Sequence, residues 1–100
     1  MKTTLEIKMP DGSVWGVPVM VIAKDRAANY ANEFGGDVER SLVEDTLPLF
    51  EAEVFEIKDW AANNMNWSDV KHAATRIRPP DPLTDADFQE AWVNGEKFIR

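Results

Sequence analysis

The feature that most constrains this chain lies at its start. Leu5, Ile7 and Met9 alternate with polar neighbours, the period of a strand with one face buried, which predicts a strand from Thr3 to Met9. Pro10-Asp11-Gly12-Ser13 comes next with turn chemistry, since Pro presets φ and Gly tolerates positive φ. Val14, Trp15 and Val17 then form the returning strand of a hairpin. Pro18 has no amide hydrogen for a central ladder, so that strand must stop there or lie at an edge.

The rest of the chain must cover the hairpin, and most of it has helical spacing. Pro18 suits a first helical position. Ile22, Ala23, Arg26, Ala27, Tyr30, Ala31 and Phe34 recur at helical intervals, and Gly35-Gly36 ends the run. Asp37 is expected to cap a second helix, Val38 to Thr46, with Val38, Leu42 and Val43 inward and Pro48 breaking or kinking it. A third helix fits Glu53 to Asn64, with Val54, Ile57, Trp60, Ala61 and Met65 on one side. Asn66 or Ser68 caps a fourth, carrying Val70, Ala73, Ala74 and Ile77. Pro79-Pro80-Asp81-Pro82 reads as a stiff connector.

Beyond it, Thr84 with Asp87 makes a capping box and Leu83 with Phe88 a hydrophobic staple. A helix from Asp85 to Asn94, closed by Gly95, is therefore preferred, with Phe88, Ala91 and Trp92 inward. Its rival is a hairpin turning at Asn94-Gly95. Lys97 to Arg100 is expected to return as a strand on the N-terminal hairpin. The fold class predicted is α+β: a small antiparallel sheet, N-terminal hairpin plus C-terminal strand, packed against three to five short helices.

The chain's 100 residues make one domain, 1–100, with no room for a second core. A hydrophobic content of 44% and ten aromatics, four of them Trp, can supply that core without disulfide or metal. The lack of cysteine excludes a disulfide scaffold, an Fe–S site and thiolate zinc, and suits the cytoplasm. MKTTLEIKMPDG has no apolar core segment or small-residue cleavage site, so export is not expected. The longest apolar run, Val17 to Ala23, is too short for a membrane span.

The net charge is −7. Eight acidic residues fall between Asp37 and Asp59 against Arg40 and Lys58, while Lys71, Arg76 and Arg78 form the one basic cluster. That balance disfavours nucleic acid and anionic membranes as direct partners and permits a basic protein partner. Asp37, Glu39, Glu44, Asp45, Glu51, Glu53, Glu56 and Asp59 could imitate spaced phosphates and dock in a nucleic-acid-binding groove. The plainer explanation is solubility and helix-dipole complementarity.

Trp60-Ala61-Ala62-Asn63-Asn64-Met65-Asn66-Trp67 is the other conspicuous stretch. Asn competes for backbone groups and favours caps and turns, so the run reads first as a joint between two helices, its indoles closing the core. The alternative is an aromatic, amide-lined cleft formed by Trp60, Asn64, Trp67 and His72, suited to a small ligand or a minor enzymatic activity. Ser68, Asp69 and His72 share one face if helical, but no group orients the imidazole and no oxyanion donors are in sight. Asp69 with His72 gives a metal two ligands only. Asp81, Asp85 and Asp87 do not match a Ca²⁺ loop, and Gly35-Gly36 is a cap and no phosphate cradle. No catalytic residue, cofactor or metal is therefore expected.

The stretch KMPDGSVWGVPV, the helix ending EFGG, then EDTLPLF and DWAANNMNW, resemble small uncharacterised accessory proteins of phages and mobile elements, including integron-cassette products and anti-defence proteins. The resemblance covers size, charge, lack of cysteine and the hairpin-then-helices order. It implies a cytoplasmic protein-binding accessory role and assigns no residue a function. The sequence thus predicts a non-enzymatic module that binds another protein, a basic one or a second copy in a homodimer. Its candidate contact residues are Trp15, Glu44, Asp45, Glu51 and Glu53. An exposed Trp15 or Trp92 would favour that outcome, and a pocket with buried carboxylates at the joint would favour the cleft.

Overall fold

The computed structural model describes residues 3–78 and 88–100. The hairpin forms as expected: β1 (Thr4–Lys8) and β2 (Val14–Pro18) pair antiparallel, Leu5 opposite Val17 and Ile7 opposite Trp15. The turn is fixed by its own side chains. The Asp11 carboxylate accepts from the Ser13 amide at 2.9 Å, Gly12 takes φ 85°, and the Ser13 hydroxyl accepts from the Trp15 indole at 2.9 Å. Asp11 and Ser13 are both buried, so the turn brings its polar groups inside already satisfied.

Two further strands complete a sheet of order β3-β2-β1-β4, antiparallel throughout. β4 (Lys97–Ile99) lies beside β1, Ile99 opposite Leu5, which is the C-terminal strand the sequence predicts. β3 (Thr75–Arg78) is a correction, because Ala73, Ala74 and Ile77 do not continue a helix from Val70. Thr75 and Ile77 are β-branched, and Arg78 precedes a proline, which drives it away from helical dihedrals. Gly16 makes room for this strand: a Cβ there would lie 2.9 Å from Ile77 Cδ1. β2 is therefore an inner strand. Pro18 is tolerated because β3 covers only Val14, Trp15 and Gly16, leaving no ladder bond for it to miss.

Leu5, Ile7 and Val17 point to the same side of the sheet, and the helices lie there. α1 (Val19–Tyr30) starts after Pro18, which stands at the N-cap with ψ 128° and is not yet helical. Ile22, Ala23 and Ala27 are buried; a 3₁₀ turn (Ala31–Phe34) then ends at Gly35 with φ 67°, the left-handed close that glycine permits. α4 (Phe55–Asn64), α5 (Trp67–Val70) and α6 (Phe88–Asn94) complete that layer. Phe88–Asn94 is helix and no hairpin strand. The Pro79–Pro82 connector, the Thr84–Asp87 capping box and the Leu83 staple lie outside the described residues, as does the Phe88 side chain.

The second helix departs furthest from expectation. α2 (Val38–Ser41) passes into a π turn (Leu42–Thr46) and then α3 (Leu47–Ala52), so the helix runs through Pro48. With that run counted once, the described residues hold five helices. Proline strips the ladder of one donor and presses on the carbonyl four residues back. The wider turn just ahead of it, where the Leu47 amide reaches back to Leu42 O, relieves that pressure. The inward face carries Ser41, Leu42, Thr46 and Phe50, while Val38, in the first turn beside the cap, and Val43, within the wide turn, both expected inside, are exposed.

Candidate functional site

The acidic segment from Asp37 to Asp59 is held at its start and in its middle. Asp37 caps α2 by accepting from the Arg40 amide at 3.1 Å. In the middle, Arg26 on α1 donates to Asp45 Oδ2 and to Thr46 Oγ1, each at 2.9 Å, with its guanidinium 4.6 Å from the Tyr30 ring centre. Thr46 faces the core because this half-buried guanidinium needs an acceptor there. Asp45, one of the candidate contact residues, is thus spent on holding α1 to the π turn.

The remaining acidic candidates face outward. Glu44 pairs with Arg40 one turn away on an exposed face, an ion pair of small energy. Glu51 and Glu53 are exposed and form no ion pair among the described residues. Among these carboxylates the segment also presents apolar groups: Val38 is 42% exposed, Val43 54% and Phe55 68%. Sequence periodicity put Val38 and Val43 inside, because the π turn that interrupts the helix leaves no signature of its own. Trp15 is no exposed patch; it is half-buried, edge-on to Trp67 at 5.7 Å. Trp92 is fully buried.

The Trp60–Trp67 stretch is a joint. Trp60 leans on α1, its indole donating to Asp25 Oδ2 at 2.8 Å and its ring 5.9 Å from Tyr30. Trp67 turns the other way, between Trp15 and Trp92, the latter at 6.1 Å. The Trp92 indole donates to the carbonyls of Ala61 and Met65 at 3.0 and 3.1 Å, satisfying the open end of α4. Gln89 accepts from the Trp67 amide at 2.9 Å and donates to Asn66 Oδ1 at 3.1 Å, while Asp69 accepts from the Asn66 amide at 2.8 Å. Asn64 is exposed, and His72 lies exposed past the end of α5. None of Trp60, Asn64, Trp67 and His72 lines a described cavity.

One cavity, of about 350 Å³, holds residues that sequence reasoning passed over: Phe55, Lys58 and Lys97. Register gives the signal in retrospect. Lys97 stands opposite Ile7, which puts it on the core side of the sheet, where a strand of this kind would ordinarily carry an apolar residue. Its ammonium donates to Val93 O at 3.0 Å and Gly95 O at 3.1 Å. Burial first, and the Lys58 charge second, lower its pKa below the ordinary 10.5.

Among the described residues no group of three or more His, Cys, Asp or Glu could hold a metal, and no helix is long and apolar enough to cross a membrane. Comparison with protein-family models, curated proteins and solved structures yields no match.

Proposed function

We propose that the chain is a non-enzymatic protein-binding module, that it docks through the acidic segment from Asp37 to Asp59, and that its partner is a basic protein. The observation that carries this is the exposure of Val43 and Phe55 in the same segment as the exposed Glu51 and Glu53. An apolar side chain left in water is an incomplete burial, and aromatic groups ringed by charge are the composition of a docking patch. The carboxylates would steer a positively charged surface into register, and the apolar groups would hold it once water is excluded. A nucleic-acid-binding protein of the host fits this chemistry, since spaced carboxylates can occupy the places of phosphates. Such a role suits a cytoplasmic accessory protein of a phage or mobile element, whose general make-up the chain resembles.

The test is association kinetics against a partner purified by affinity capture. Glu51→Gln with Glu53→Gln should slow association and flatten its salt dependence, because screening shortens from about 8 Å at physiological strength to about 3 Å at 1 M salt. Phe55→Ser should speed dissociation. A partner indifferent to salt and to all three substitutions would remove the acidic segment from consideration.

A further inference from the structure

The cavity between α4 and the α6–β4 corner has a chemistry opposite to that of the chain around it. Lys58 reaches it from α4 and Lys97 from β4, close enough that the Lys58 charge disfavours that of Lys97. Neither ammonium has a carboxylate partner within ion-pair distance among the described residues. The one carboxylate on the lining, Asp59, accepts from the Asn63 amide at 2.9 Å and pairs with neither lysine. In a chain of net charge −7, a cavity lined by two lysines and one carboxylate carries a net positive charge and stands out.

Geometry gives the rest. Lys97 spends two of its three N–H donors on the Val93 and Gly95 carbonyls, which fixes the ammonium and leaves the third donor over. Phe55, Ala62 and Val93 supply an apolar wall, with Phe55 more than half exposed. The volume of about 350 Å³ is at the small end of the range for ligand sites. We propose that this cavity binds a small organic carboxylate, its oxygens between the Lys58 and Lys97 ammoniums and its ring or branched tail against Phe55, Ala62 and Val93. The anion would supply the missing charge and relieve the repulsion between the two lysines, so binding should weaken in alkali as Lys97 loses its proton. Asp59, which faces the same space, selects against ligands with more than one negative charge.

Phe55 borders both surfaces, but Glu51 and Glu53, whose charges steer the protein partner, do not line the cavity, so the two readings can fail separately. Amide-resolved NMR titration of the whole chain tests this one, with benzoate, benzyl alcohol and acetate as probes. Benzoate should give saturable shifts at Phe55, Lys58, Ala62, Val93 and Lys97, with the alcohol and acetate each about tenfold weaker, the scale of one charge-assisted hydrogen bond or one apolar ring wall. Lys58→Gln should weaken benzoate about tenfold. It leaves the Lys97 contacts that close α6 intact, so a folding defect would not mask the result. Phe55→Ala should weaken benzoate and leave acetate unchanged. Shifts absent from these amides, equal affinity for benzyl alcohol, or full affinity in Lys58→Gln would each overturn the proposal.

Discussion

The tryptophan joint and the acidic helical segment both draw notice in the sequence, and they meet opposite fates. At the joint, residues that could have lined a cleft are consumed by structure. Trp92 closes the end of α4, Gln89 closes the start of α5, and the rings of Trp15, Trp67 and Trp92 pack in sequence. In the acidic segment an amphipathic helix turns two of its valines out to water. Polar and aromatic richness therefore does not separate a joint from an open surface; whether each group's hydrogen-bonding and burial needs are met inside the molecule does. At the joint those needs are met inside the molecule, while on the acidic segment Val38, Val43 and Phe55 remain in water.

The largest test of that contrast is Trp92→Ala, which removes a fully buried indole and leaves the Ala61 and Met65 carbonyls unpaired. It should cost about 3–5 kcal/mol in urea unfolding; a loss below about 1 kcal/mol would mean the joint is not the anchor described. Asp45→Asn comes next, at about 1–2 kcal/mol, because it strips the half-buried Arg26 of its charged acceptor. The same loss of charge at Glu51 or Glu53, by Gln, should stay within about 0.5 kcal/mol. Equal effects at all three would erase the division between structural and free carboxylates. Val43→Ser should likewise shift stability by no more than about 0.5 kcal/mol, and a marked loss would show the side chain packed inside after all.

The smallest effect concerns pH. The unfolded chain holds the Lys97 proton up to the ordinary 10.5, while the folded chain gives it up earlier. Unfolding therefore takes up a proton in the window between the lowered value and 10.5, and stability should rise with pH there. Lys97→Met should flatten that rise in urea midpoints measured across the window, and an unchanged slope would place the proton elsewhere.

Local rules made much of the fold legible. Asp11-Gly12-Ser13 specified its turn, Gly35 its helix end, Asn66 its helix start, and alternation in Leu5 and Ile7 the buried side of β1. The failures came where a distant partner decided. Thr75–Arg78 became a strand because Gly16 on β2 leaves space for Ile77, a fact visible only once the two are adjacent. Val43 turned outward where a π turn accommodates Pro48 and delivers Thr46 to Arg26. The cavity at Lys58 and Lys97 was hidden for the same reason, since the two lysines are brought together by packing and by no spacing in the chain.

One pairing governs when this protein can become itself. β1 has β4 on one side, with the Thr3 and Thr4 amides donating to Arg100 O at 2.9 and 3.1 Å and the Arg100 amide to Thr4 O at 2.8 Å. The first strand thus waits for the last residues described. During synthesis the hairpin emerges early with Leu5 and Ile7 uncovered and one flank of β1 unpaired, a template for any passing strand. So long a separation between partners slows folding, and the interval is the time of greatest risk from aggregation. A pause in synthesis between β1 and β4 would therefore lengthen the time for which that flank stands unpaired.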